Sequence, residues 1–204
     1  MAVLTISRQF GAGGRTLGEG VSKRLGYRYI QEDMIKELAI KAKVSARQIK
    51  DFEERGTSKL LKFLDKIVSA SYVDRLASDN YHYVDEKIYM DVVKKVIEDL
   101  YREGNVVIIG RGGQYILKGY ENVRHVLLIA GLEHRIRFMT ERYSLSETRA
   151  AKVIMRADQI RTRFLNLFAP EGSHNDPLTY DVTINMEQLS MEEAENIVVG
   201  LISD

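Results

Sequence analysis

The chain has 204 residues, 45% hydrophobic and 29% charged, which suits a single domain with a sizeable core and a soluble surface. A formal net charge of +1 makes nucleic acid unlikely as the main ligand and argues against an anionic membrane surface, so any basic site has to be local. With no cysteine there are no disulfides or thiolate metal sites, His82, His125, His134 and His174 fall at no ligand-like spacing, and no segment approaches the about 18 apolar residues of a membrane span; a cytoplasmic protein without a leader is expected.

The first five β-prone residues, Ala2-Val3-Leu4-Thr5-Ile6, run into Ser7-Arg8-Gln9-Phe10-Gly11-Ala12-Gly13-Gly14-Arg15-Thr16-Leu17-Gly18. A strand feeding a glycine-rich turn that opens a helix has the layout of a phosphate cradle. Glycine tolerates positive φ, backbone N–H groups can then approach an anion, and the positive end of the helix dipole faces it. Against the P-loop pattern G-x-x-x-x-G-K-[ST], Arg8 stands at the first glycine, Gly13 at the second and Gly14 at the lysine, with Arg15 and Thr16 beyond. The frame is present and the lysine is missing. A plain turn would need only the glycines, whereas Arg8, Gln9, Arg15 and Thr16 place cations and hydrogen-bonding groups around them.

The helix that follows buries Leu17, Val21 and Leu25 and stops at Gly26. Residues 27–30 read as a second strand. Helical patterns then carry Met34, Ile35, Leu38 and Ile40, begin again at Ser45, and recur over 59–77 and 85–103. This insert, about 33–103, is longer than a crossover needs and is expected to bind the acceptor or to form an oligomer surface; for the apolar stripe at 60–76, ordinary packing within the chain is the simpler reading than a dimer seam.

Residues 106–109 form an apolar run of buried parallel-strand type, ending in Gly110-Arg111-Gly112-Gly113. Ligands of open α/β sheets bind outside the carboxyl ends of strands, which suits Arg111 to a phosphate or carboxylate; pairing with a structural acid is the alternative. A fourth strand spans 123–130, and helices follow at 132–142 and from an N-cap at Ser146 to about 168. Arg135, Arg142, Arg149, Arg156 and Arg163 recur every seven residues, with Asp158 and Arg161 between the last two. Glu147 and Asp158 are the only acids in 146–168, against four arginines and a lysine, so this arm could clamp a polyphosphate. The loop 169–179 holds both prolines, residues 180–185 are a fifth strand, and Ser190 with Glu193 caps the last helix. Five short strands interleaved with helices indicate an α/β fold with a parallel sheet.

The stretch 7–15, Gly110-Arg111, Asp158-x-x-Arg161-x-x-Phe164 and Tyr180-Asp181-x-x-Ile184-Asn185 together resemble the cytidylate kinase-like family, a branch of the P-loop nucleoside monophosphate kinases, over nearly the whole chain. The resemblance implies a five-stranded parallel sheet with flanking helices, a helical insert and an arginine-rich lid at about 132–168. It implies transfer of the γ-phosphoryl group of ATP, with Mg²⁺, to a nucleoside monophosphate, CMP or dCMP. Cofactor-binding residues would be Arg8, Gly11, Ala12, Gly13, Gly14, Arg15 and Thr16, with Thr16 approaching the metal. Catalytic residues would be Arg15, Arg111, Arg156, Arg161 and Arg163, with Arg111 on the acceptor phosphate and Asp158 orienting a lid arginine.

The chain departs from cytidylate kinases at Gly14, in reading Ile109-Gly110-Arg111-Gly112 for Asp-Gly-Arg-Asp, and at Gln31 after strand two. Arg8 or Arg15 could supply the lysine's charge. A kinase for another small acceptor, a non-catalytic nucleotide-binding or regulatory protein, and an interaction protein using the helices of 57–103 remain open alternatives.

Overall fold

The computed structural model describes residues 1–35, 86–169 and 173–203. The helices expected within 36–85, and Pro170, lie outside these residues. The chain divides into two compact units, Met1–Gln31 with Leu100–Asp204, and Glu32–Asp99. Among the described residues the second unit contributes a helical turn at 32–35 and the larger part of α2 (Glu86–Glu103). No described helix is long and apolar enough to cross a membrane.

The first unit contains a five-stranded sheet of β1 (Val3–Arg8), β2 (Arg28–Ile30), β3 (Val106–Ile109), β4 (Val123–Ile129) and β5 (Val182–Asn185). Its order is β2-β3-β1-β4-β5, and every neighbouring pair is parallel. β1 lies at the centre, with Val3 opposite both Val106 and Val123. The chain builds to one side of β1 through β2 and β3 and to the other through β4 and β5. The carboxyl end of β1 is therefore the point where strand order reverses, the place at which such sheets open a crevice.

The alternation of side chains along each strand decides what covers the sheet. Leu4 and Ile6, with Val107, Ile109, Val126, Leu128 and Ile184, meet Leu17 and Val21 of α1 (Gly14–Leu25) and Ala194 and Val198 of α6 (Met191–Ser203). Each fully buried Leu, Ile or Val contributes about 1.5–3 kcal/mol. On the opposite face, α3 (Gly113–Ile116) sits so close that a Cβ on Gly113 would lie 3.1 Å from Thr5 Cγ2. Two of the caps read from the sequence close the helices on this face. Gly26 closes α1 at φ 67, and Ser190 and Glu193 exchange bonds of 2.8 and 3.3 Å ahead of α6.

The arm consists of two helices, α4 (Leu132–Tyr143) and α5 (Glu147–Leu165). They are broken at Ser144, φ 53, and restarted by Ser146, whose hydroxyl accepts from the Arg149 N–H. Met139, Ala150 and Ile154 form its small core, to which Phe10 of the glycine loop adds a ring.

One polar residue beside the core strands makes stability depend on pH. His125 on β4 accepts at Nδ1 from the Thr5 hydroxyl, 2.7 Å away, when its other nitrogen is bonded to the Leu117 backbone. Burial lowers its pKa, and the nearby Asp181 opposes that only in part. The unfolded chain, with an ordinary histidine pKa of about 6.5, takes up the proton more readily than the fold does. The contribution of the neutral ring is therefore complete above about pH 6.5 and declines as pH falls below it. Thermal unfolding of the wild type and His125→Gln between pH 5 and 8 should show a smaller acid-side drop in the variant; parallel curves would disprove this assignment.

Candidate functional site

The turn after β1 is held from several directions. The Gln9 N–H donates to the Leu128 carbonyl at 3.0 Å, and Gln9 Oε1 accepts from the Ala130 N–H at 3.0 Å. Gln9 thus ties the loop to the end of β4 and directs its side chain away from the glycines it was expected to flank. Gly11, at φ 85, passes the backbone of α4 closely, with a Cβ there meeting Arg135 Cβ at 3.2 Å. Gly13, at φ 81, is the N-cap of α1 and provides no side-chain cap. The first-turn amides of an α-helix have no intrahelical acceptor, so α1 presents its positive end at the carboxyl edge of the central strand.

The turn is closely packed at its last two glycines. A Cβ on Gly13 would lie 2.9 Å from Met191 Cε, and a Cβ on Gly14 would lie 2.9 Å from Arg8 Cγ and 3.2 Å from Arg8 Cβ. The stem of Arg8 therefore lies across Gly14, the position of the P-loop lysine. Ala12 is buried, and Thr16 is half-buried in the first turn of α1. Arg15 Nη2 donates to Gln31 Oε1 at 2.7 Å, while the Tyr29 hydroxyl donates to the Arg15 carbonyl at 3.2 Å. Gln31, in the position where the family pattern has aspartate, thus holds Arg15 without neutralising it.

Asp158 has a different partner from the one expected. Its carboxylate accepts from Arg135 Nη1 at 2.6 Å and from the Phe10 N–H at 2.9 Å, and the same Arg135 nitrogen donates to the Phe10 carbonyl at 3.1 Å. Both ends of this loop residue are gripped by one ion pair, whose arginine is buried. Asp158 still acts on Arg161 through its field.

Arg161 reaches the end of β1. Its guanidinium donates to Ser7 Oγ at 3.1 Å, the His174 carbonyl at 3.3 Å and Asn175 Oδ1 at 3.1 Å. Burial and the nearby Arg8 work against its positive charge, while Tyr180 and Asp158 favour it. The turn supporting it is fixed by the Tyr180 hydroxyl, which donates to the His174 carbonyl at 2.7 Å, and by His174 ring contacts to Asn166 and Tyr115. Ser7 and Tyr180 belong to the motifs that carry the family resemblance but were given no role there, and nothing in the sequence pattern singled out His174.

Arg156 and Arg163 are exposed on α5. The seven-residue spacing puts them on one face, but that face is roughly opposite the one carrying Asp158 and Arg161. The longer series is divided between two helices, and its first member, Arg135, is buried. Arg111 follows β3, whose end is tied to β1 by the Gly110 N–H donating to the Ile6 carbonyl at 2.9 Å. Arg111 has φ 54 between Gly110 and Gly112, both at φ 71, a conformation costing a non-glycine residue about 1 kcal/mol. The structure thus gathers Arg8, Arg15, Arg111 and Arg161 around the carboxyl ends of β1 and β3 and their loops.

Asp158→Ala would strip the buried Arg135 of its carboxylate and the Phe10 N–H of its acceptor. The expected loss is roughly 2–4 kcal/mol in urea unfolding, and Asp158→Asn, which keeps an acceptor oxygen, should lose less. A change below about 0.5 kcal/mol for Asp158→Ala would show that the grip on Phe10 is unimportant.

Among solved structures, an uncharacterized protein from Eubacterium ventriosum matches 100% of this chain and 99% of its own, with a TM-score of 0.70 at 14% identity. A gluconokinase from Sinorhizobium meliloti matches 99% of this chain and 91% of its own, with a TM-score of 0.50 at 11% identity. At these identities the likeness is one of fold. No curated protein matches the sequence. The model of the cytidylate kinase-like family matches residues 3–188, nearly the span from β1 to the capping box of α6, and the chain belongs to that family.

Proposed function

We propose that this protein transfers the γ-phosphoryl group of ATP to a nucleoside monophosphate, CMP or dCMP. Membership of the cytidylate kinase-like family supports a kinase-type, nucleotide-binding function. The observation that carries the reading further is the uncapped N-terminus of α1 behind Gly13 and Gly14, with Arg161 anchored on Ser7 at the same strand end. A Cβ on Gly13 would press on Met191 and one on Gly14 on Arg8, so neither position has room for a side chain beside the helix N-terminus.

In this proposal Gly11, Ala12, Gly13 and Gly14 wrap the donor phosphates through their amides, and Arg8 and Arg15 supply the charge that the lysine would bring. Thr16 offers a hydroxyl to Mg²⁺, which when bound neutralises charge on the phosphates. Arg111 holds the acceptor's phosphate so that its oxygen lies in line with the γ-phosphorus. As the bond to the β–γ bridging oxygen breaks, Arg161 stabilises charge on the transferring group, without Arg156 and Arg163, which lie on the other face of α5. Binding without transfer is the second reading, favoured by glycine at the lysine position.

The deciding experiment is a phosphotransfer screen of ATP and Mg²⁺ against all ribo- and deoxyribonucleoside monophosphates. Diphosphate should form from CMP or dCMP and fall by at least ~10²-fold in Arg111→Ala. Silence across the panel with ATP still bound would move the protein to another phosphoryl acceptor or to the second reading. Gly13→Val, which places a branched residue at φ 81 against Met191, should abolish nucleotide binding in calorimetry. Unchanged affinity would remove the cradle from the site.

A further inference from the structure

The guanidinium of Arg111 rests on an aromatic face: its central carbon lies 5.1 Å from the centroid of the Phe164 ring. Phe164 stands one turn beyond Arg161 on α5, so the two arginines are set from the same helix. Behind it, Phe168 packs edge-on at 5.5 Å with an interplanar angle of 66°. Phe168 is itself stacked on Tyr115 of α3 at 5.8 Å and 13°. The same ring fills the space beside residue 112, since a Cβ there would lie 2.6 Å from Phe168. No side chain, and so no carboxylate, can be placed at 112 without displacing Phe168. The left-handed Gly110-Arg111-Gly112 turn and the three rings form a single packed construction.

A cation is attracted to a ring face by the quadrupole, and the face consumes none of the five N–H donors of a guanidinium. A carboxylate in that place would orient the arginine but would also compete with an arriving phosphate for the donor fork. We infer that Phe164 is a positioning residue for Arg111, aiming its guanidinium at the acceptor's phosphate by cation–π contact. The inference deepens the proposed reaction and rests on it for the identity of the acceptor.

The test uses the full chain with Phe164→Leu, which keeps apolar bulk without a π face, and Phe164→Tyr, which keeps the face. Calorimetry with CMP and with ATP gives affinities, and the Arg111 side-chain proton shifts report the ring current of Phe164. Phe164→Leu should weaken CMP binding about 3- to 30-fold, leave ATP binding unchanged and move the Arg111 signals downfield, with Phe164→Tyr close to wild type in all three. The inference is overturned if Phe164→Leu binds CMP normally, if it loses ATP affinity equally, if the Arg111 signals do not move, or if Phe164→Tyr fails as badly. Should wild-type protein not bind CMP at all, the nucleoside monophosphate reading falls. The Arg111 shifts then decide alone whether Phe164 sets that guanidinium: unmoved signals overturn the inference, and a shift lost in Leu and kept in Tyr upholds it.

Discussion

The peptide units on either side of Phe10 are held by charge. Asp158 takes the N–H, Arg135 takes the carbonyl, and the two side chains pair with one another at 2.6 Å. Since the Phe10 ring also enters the small core of α4 and α5, the loop after β1 and the arm share a fixed point in backbone, side chain and charge. The positions of Gly11 and Gly13 follow from it, because a loop gripped at Phe10 and capped into α1 at Gly13 has little freedom between. An arginine-rich arm attached in this way carries Arg161 to the strand end as a consequence of where Asp158 is anchored.

Guanidinium groups gathered around one strand end repel one another, and three of them have neutral groups among their partners. Gln31 holds Arg15, Ser7 and Asn175 hold Arg161, and a phenyl ring holds Arg111. Asp158 lies close enough to act on Arg161, but its hydrogen bonds go to Arg135 and Phe10. Neutral acceptors fix direction while leaving positive potential in place, which suits a site meant for an anion better than salt bridges would. Arg28 and Arg24, which pair with Glu103 and Glu195, show the ordinary ion-pair alternative.

Much of this was legible in the sequence because it depends on local rules. The β3 strand came from four consecutive apolar residues, α1 ended at the glycine that its C-cap required, and the Ser190–Glu193 box announced α6. The glycine loop and the Gly110-Arg111 pair marked where ligand chemistry would concentrate. Asp158, Arg161 and Phe164 share a helix face at a spacing visible in the chain. What each of them touches was not legible, because Arg135, Ser7 and Arg111 come from three other elements and meet them only through tertiary packing. The arginine heptad misled for the same reason. A constant spacing marks one face only within one helix, and Ser144 breaks the series into two.

The stem of Arg8 lying across Gly14 links the two departures from the P-loop pattern. A Cβ at 14 would lie 2.9 Å from Arg8 Cγ and 3.2 Å from Arg8 Cβ, so a side chain there requires the Arg8 stem to move. Arginine in place of the first glycine and glycine in place of the lysine are therefore sterically coupled: a lysine introduced at 14 alone would press on Arg8, and the same lysine beside a glycine at 8 would not.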